Sequence, residues 1–455
     1  MVEFLEFLRD ILQQPALLLG IVSCIGLLAL KRPFYKVMTG TLKPILGYIM
    51  LGCGSGFIVT NLDPLGKMIQ EGFHITGVVP NNEAIVSVAQ QLLGVETMSI
   101  LVVGLVMNLL IARFTKFKYV FLTGHHSFFM ACLLSAVLGT AGMKGMELIL
   151  CGGFLLGAWS AISPAIGQKY TNKVTDGDGI AMGHFGSLAY YISAWVGSKV
   201  GSPEDSTEKI EIPEKWGFLR DTTVSTGLTM MFFYIIAAIA AGSEYVSTLS
   251  NGMSPILFAI MSGLQFAVGV TVVYSGVRMI LGDLIPAFEG ISKKVIPNAI
   301  PAVDCAVFFT YAPTAVVLGF VSSFIGGVIG MFILGALGGV LIIPGMVPHF
   351  FCGATAGIFG NATGGKRGAT IGAFVNGLLI TFAPALLLPV LGTLGFQNTT
   401  FGDFDFGVLG IILGTVSNSM EQIGIFIIIV IFILALIIPN FMKLKSKVIN
   451  NPDEE

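Results

Sequence analysis

The sequence predicts an all-α, polytopic membrane protein, and three observations carry that prediction. Hydrophobic residues make up 54% of the chain and charged ones only 11%, against about a quarter charged in soluble domains. Mean hydropathy is +0.87. Apolar windows of bilayer-spanning length recur from one end of the chain to the other, with most of the charge held in the short segments between them.

Those windows fall near 14–30, 42–60, 98–113, 119–140, 146–166, 224–249, 254–282, 298–313, 315–343, 368–393 and 421–442, eleven spans in all. The first is expected to be retained, because MVEFLEFLRDILQQPALLLG has no basic lead and no small-residue cleavage site. An odd number of spans puts the termini on opposite sides. With the N-terminus outside, three of the 24 basic residues, Arg9, Lys67 and Lys144, are external. The clusters KRPFYK (31–36), RFTKFK (113–118) and KLKSK (443–447) then all lie inside, so the C-terminus is expected to be cytoplasmic.

Two apolar stretches are interrupted by Gly, Pro, His or Asn: DGDGIAMGHFGSLAYYISAWVG (176–197) and IPGMVPHFFCGATAGIFGNATGG (343–365). Broken backbone at membrane depth is tolerated only where protein or a watery cavity surrounds it, and both are expected to be re-entrant hairpins. The hydrophilic segment 198–221 reads as a cytoplasmic loop too short for a folded domain. The whole of 1–455 is therefore expected to be one integral unit with no fused catalytic domain. Gly26, Gly40 and Lys43 echo Gly276, Gly290 and Lys293 at an offset of 250, a pattern that chance or an internal repeat explains equally well. The six cysteines (24, 53, 132, 151, 305, 352) lie in apolar surroundings without CxxC spacing and are expected to be free packing thiols.

Ionisable groups in mid-bilayer cost about 2.5–3.5 kcal/mol each, which makes every one a functional candidate with a partner. The candidates are His125 and His126 in TGHHSF, His184 in MGHFGS, Asp304, Glu83 and His349. A polar group satisfied by a neighbouring helix is the plain alternative for each. The two Gly-His signatures, at 124–125 and 183–184, favour a shared cavity. A zinc site is disfavoured, since adjacent histidines on a helix diverge by about 100° and no HExxH pattern exists. A cation-coupled transporter using Asp304 and Glu83 is a rival reading. Imidazoles, carboxylate and amides together suit a small hydroxyl-rich solute, because each unpaired buried polar group penalises the wrong one.

The ordered set LTGH (122–125), VTDGDGIAMGH (174–184), VSTG (224–227), GVRM (276–279), AFEGISKKVIPNAIPAVDCAVFFTYAPTAVVLGF (287–320) and LIIPGMVPHFFCGATAGIF (341–359) resembles the ascorbate-specific enzyme IIC of the bacterial phosphotransferase system. The resemblance spans nearly the whole chain. It implies phosphorylation-coupled uptake of L-ascorbate by a homodimer in the bacterial inner membrane. Each protomer would have eleven spans, a V-shaped dimerisation domain, and a substrate-binding core with two hairpins. The phosphoryl group would come from a phosphocysteine on a soluble enzyme IIB charged by enzyme IIA, with no phosphoryl-carrying residue on this chain. No cofactor, metal or nucleic acid is expected.

The resemblance also implies site residues. His125 and His184 match the two Gly-His positions of the family's pocket and Asp304 its acidic residue; Asn82, Glu83 and Ala84 match a pocket loop, and Cys352 and Gly353 a hairpin whose backbone approaches the ligand. His125 is thus expected to face substrate and His126 a neighbouring helix. Phe129 and Phe185 stand where the family has glutamines, exchanging amide hydrogen bonds for aromatic faces. Another sugar acid, a pentose or a polyol is therefore the alternative substrate, and an ionised Glu83 would repel an ascorbate anion.

Overall fold

The computed structural model describes residues 14–74, 77–80, 82–210, 221–250, 252–294, 296–392 and 400–441. Helices dominate: α1 (Pro15–Ala29), α2 (Phe34–Gly72), α3 (Asn82–Phe114), α4 (Gly124–Thr140), α5 (Gly145–Thr175), α6 (Ser187–Val200), α7 (Thr222–Ala241), α8 (Ser243–Leu249), α9 (Pro255–Lys294), α10 (Pro313–Ala336), α11 (Met346–Gly392) and α12 (Phe404–Phe441). Among the described residues seven are long and apolar enough to cross a membrane, or eight if α7 and α8, bent by 119°, form one span. With backbone groups satisfied inside each helix and apolar side chains outside, this is how a chain crosses hydrocarbon.

Two of the long helices are folded on themselves. At Gly365 the backbone leaves the helical region (φ 57°, ψ −146°), and a Cβ on Gly360 or Gly368 would strike the other's carbonyl. Residues eight apart in a straight helix are about 12 Å apart, so 346–364 and 366–392 must pack against each other. Glu421 (φ 50°, ψ −135°) breaks α12 in the same way, bringing Gly424 onto Val416.

The helices sort into two groups. One contains α1, α2, α7, α8 and α9; the other contains α3 to α6 and α10 to α12. In the first, α2 and α9 approach closely enough that a Cβ on Gly47 or Gly54 would lie 2.8 Å from the Gly276 or Gly269 carbonyl. Small residues at such crossings let backbones touch and gain dispersion energy where lipid offers no hydrophobic drive. In the second, Gly197 meets Gly364 and Gly319 meets Gly357 on the same principle.

The eleven-span count needs correction at 298–313. That window holds a strand, β3 (Ile300–Val303), and a short 3-10 turn (Cys305–Thr310), because an apolar run of this length does not by itself distinguish helix from buried strand. The window 119–140 likewise opens with a strand, β1 (Tyr119–Phe121), and 176–197 contains a third, β2 (Ala181–Met182). The three pair in parallel in the order β1-β3-β2, with Tyr119 opposite Ile300, Phe121 opposite Ala302, and Met182 opposite Val303. Pro301 fits this central strand because β2 is paired only with 302 and 303, so no ladder partner needs the N–H that proline lacks.

Candidate functional site

Because the strands are parallel, their carboxyl ends lie together. His125 and His126 follow β1 on the first turn of α4, His184 follows β2, and Asp304 directly follows β3. Gly183 donates to the Val303 carbonyl at 2.7 Å and Leu122 to Ala302 at 2.9 Å, so main-chain bonds hold the segments leading to all four residues in fixed register. Residues nearly 180 positions apart thus share one edge.

The hydrogen bonds at that edge decide what each group can offer. His125 lies 3.3 Å from the Asp304 carboxylate through Nε2 and 3.1 Å from the Tyr48 hydroxyl through Nδ1. Asp304 also accepts from the Ala306 N–H at 3.1 Å. His184 Nδ1 accepts from the Gly186 N–H at 3.1 Å and meets the Tyr190 hydroxyl at 2.9 Å. His126 Nδ1 accepts from the Phe185 N–H at 3.4 Å. A backbone N–H can only donate, so both imidazoles must leave Nδ1 bare and, when neutral, carry their proton on Nε2. His126 is held between His184, with ring centroids 3.8 Å apart, and Phe406 at 5.8 Å and 7°.

The segment before α12 adds two carboxylates. Asp403 accepts from the Asn82 amide at 2.6 Å and from the Cys352 thiol at 2.7 Å, and Asn82 also accepts from the Gly402 N–H at 2.8 Å. Asp405, fully buried, accepts from the Ser187 hydroxyl at 2.9 Å and the Leu188 N–H at 3.0 Å. It caps the start of α6, where a carboxylate satisfies otherwise unpaired N–H groups and the helix dipole.

Ligand atoms of His126, His184 and Asp403, of His125, His126 and Asp304, and of His184, Asp304 and Cys305 each lie within 4.8 Å of one another. A metal would need the Nε2 lone pair of His126 and His184, and the backbone donors at Nδ1 put a proton there instead. The donor set fits hydroxyl recognition better than metal ligation.

These groups line a cavity of about 660 Å³ between the two helix groups. Its second wall is a single face of α2, Tyr48, Leu51, Gly52, Ser55, Gly56, Val59 and Thr60, whose three- and four-residue steps trace one helical stripe. A Cβ on Gly52 or Gly56 would meet no atom within 4 Å, so these glycines widen the cavity. No Lys or Arg is among the described lining residues. The volume is that of a small-molecule site.

A model of the family described as PTS system sugar-specific permease component matches residues 10–405. The chain belongs to that family. The permease is 29% identical to the ascorbate-specific PTS system EIIC component of Mycoplasma pneumoniae, over 91% of its own length and 67% of that relative's. It is also 28% identical to the ammonium transporter Amt2 of Methanocaldococcus jannaschii over half of each chain, a local likeness beside a family match that covers most of the sequence.

Of the residues singled out from sequence, the permease brings Asn82, His125, Phe129, His184 and Asp304 to the cavity wall. The side chains of Glu83 and Ala84 lie outside the described residues. His126, expected against a neighbouring helix, reaches the wall as well. Phe185 does not: it is fully buried, stacked on Phe121 at 4.6 Å and edge-on to Phe406. Cys352 sits behind Asp403, and Gly353 faces Ser323 on α10; Val347, Pro348 and Phe351 supply that part of the wall instead. His349 bonds Ser323 at 2.9 Å and serves packing. Sequence reasoning missed Tyr48 and Asp403. The GDFDFG stretch (402–407) carried the signal for Asp403, two acids in apolar company, but it fell between windows.

The two phenylalanines therefore differ in what they do. Phe185→Gln is expected to lower stability by about 2 kcal/mol or more, the cost of an unsatisfied buried amide, seen as an earlier thermal unfolding midpoint of the purified permease. Phe129→Gln should leave that midpoint in place and change solute affinity.

Proposed function

We propose that this multi-pass membrane permease takes up L-ascorbate in step with its phosphorylation, as the IIC component of a phosphotransferase system. The observation that carries the reading is the convergence of three imidazoles and a carboxylate on the carboxyl edge of three parallel strands, inside a cavity sized for one small hydroxylated molecule. The resemblance to an ascorbate-specific relative supports the choice of solute. His125, His126, His184 and Asp304 hydrogen-bond the solute, Phe129 covers one of its faces, and Asn82 and Cys352 brace the wall through Asp403.

In this reading α3 to α6 and α10 to α12 form the substrate-binding core. The group around α2 and α9 forms the interface of a homodimer, and each protomer crosses the bacterial inner membrane many times, with two re-entrant hairpins, the N-terminus outside and the C-terminus in the cytoplasm. Soluble IIB, carrying a phosphocysteine, and IIA supply the phosphoryl group. No residue of this chain carries it, and the six cysteines stay free thiols.

Labelled ascorbate offered to vesicles containing the full chain tests the proposal. Accumulation as the phosphate ester should require IIB and phosphoenolpyruvate-charged partners. Uptake that ignores those partners and collapses with the ion gradient would instead establish a cation-coupled transporter. Phe129 is the observation that favours a second substrate, since it removes an amide from the wall. A rise in ascorbate affinity in Phe129→Gln points to another sugar acid, a pentose or a polyol, and a fall supports ascorbate.

A further inference from the structure

Asp403 is a carboxylate of the cavity that neither the family resemblance nor the Gly-His pattern assigns. It is 6% exposed and lines the cavity, with a ligand atom within 4.8 Å of those of His126 and His184. A carboxylate buried to this extent is costly unless its lone pairs are filled. Two are: Oδ2 accepts from Asn82 and Oδ1 from the Cys352 thiol. An ionised carboxylate offers about four acceptor sites, so two remain. Asn82 spends its carbonyl on the Gly402 N–H and one amide hydrogen on Asp403, which pins both the backbone and the carboxylate of this segment. That is the arrangement of an acceptor held in place for a guest.

Asp304 is the other carboxylate among the described lining residues. It accepts from the Ala306 N–H and approaches His125, and its carboxylate also lies within 4.8 Å of the ligand atoms of His184 and Cys305. The wall therefore presents two carboxylate acceptors close to three imidazoles, with no cationic side chain among the described lining residues. Such a wall reads hydroxyl hydrogens rather than negative charge.

We infer that Asp403 is a specificity-determining residue that accepts a hydrogen bond from a solute hydroxyl, with Asn82 as its positioning residue. The inference rests on the proposed uptake of a hydroxylated solute but not on that solute being ascorbate. A carboxylate so placed rejects an analogue that lacks the matching O–H, because a lone pair of a buried acceptor is then left unfilled.

The test is a cycle of variant against analogue, with the full chain in lipid nanodiscs. Equilibrium binding is measured for L-ascorbate, xylitol and galactitol and for a deoxy counterpart of each. In the wild type, removing the hydroxyl that meets Asp403 should weaken binding at least tenfold. In Asp403→Asn that penalty should shrink to less than threefold, while penalties for other hydroxyls persist. A purely structural role would weaken all ligands and leave every ratio intact, which overturns the inference, as does tighter ascorbate binding by the variant. Should Asp403→Asn fail to fold, Asn82→Ala frees the carboxylate without removing it. The same penalty should then fall partway, and an unchanged ratio again overturns the inference. Ascorbate failing where xylitol or galactitol binds sinks the substrate reading and leaves the role of Asp403 to be decided on the polyol. Saturable binding of none of the three overturns both.

Discussion

Asp304→Asn is expected to weaken binding of L-ascorbate at least tenfold, about 1.4 kcal/mol, while leaving the permease folded. The carboxylate accepts from the Ala306 N–H and faces His125; an asparagine keeps one acceptor oxygen for the backbone but sets an amide against the imidazole and the solute. Hydrogen bonds to a charged group contribute about 1.5–3 kcal/mol, so the loss falls mainly on whichever hydroxyl that oxygen received. Titration of labelled ascorbate into the purified variant reads the affinity, and thermal unfolding without solute checks the fold. Unchanged affinity would mean that the solute binds elsewhere than at the strand edge.

Gly183→Val should cost the fold itself, about 3 kcal/mol or more, the upper end of overpacking penalties. A Cβ at 183 would strike the Ala302 carbonyl, in the place where Gly183 donates to Val303. The valine must push β3 away from β2 or β2 out of the sheet, and either movement carries His184 from its partners. Gly139→Ala is the matched control, since a Cβ there meets nothing within 4 Å. A normal unfolding midpoint for Gly183→Val, with binding intact, would show that β2 does not need its pairing to β3.

Hydropathy made the membrane class legible because crossing hydrocarbon demands long apolar helices whatever the fold around them. The windows at 368–393 and 421–442 began just past Gly365 and at Glu421, where the chain turns back. The first arm of α12 (404–420) lies outside every window because its apolar run is short and ends in polar residues. The strands escaped for a different reason. Two to four apolar residues at 119–121, 181–182 and 300–303 carry no period of their own, and only pairing across the sequence makes them strands.

The site divides in the same way. His125, His184 and Asp304 could be singled out because an ionisable group in an apolar run is conspicuous. Asp403 lay beyond any window, and Tyr48, a phenol within the apolar helix α2, gave no local sign. Phe185 was misjudged because adjacency to His184 in sequence says nothing about which side of a turn a ring takes. It went into the aromatic stack with Phe121 and Phe406.

The ladder behind the cavity is built from main-chain groups, which do not depend on the side chains that flank them. The residues past the strand tips can therefore be exchanged without rebuilding the main-chain bonds that lie beneath. A new diet needs a few altered tips on an unchanged comb.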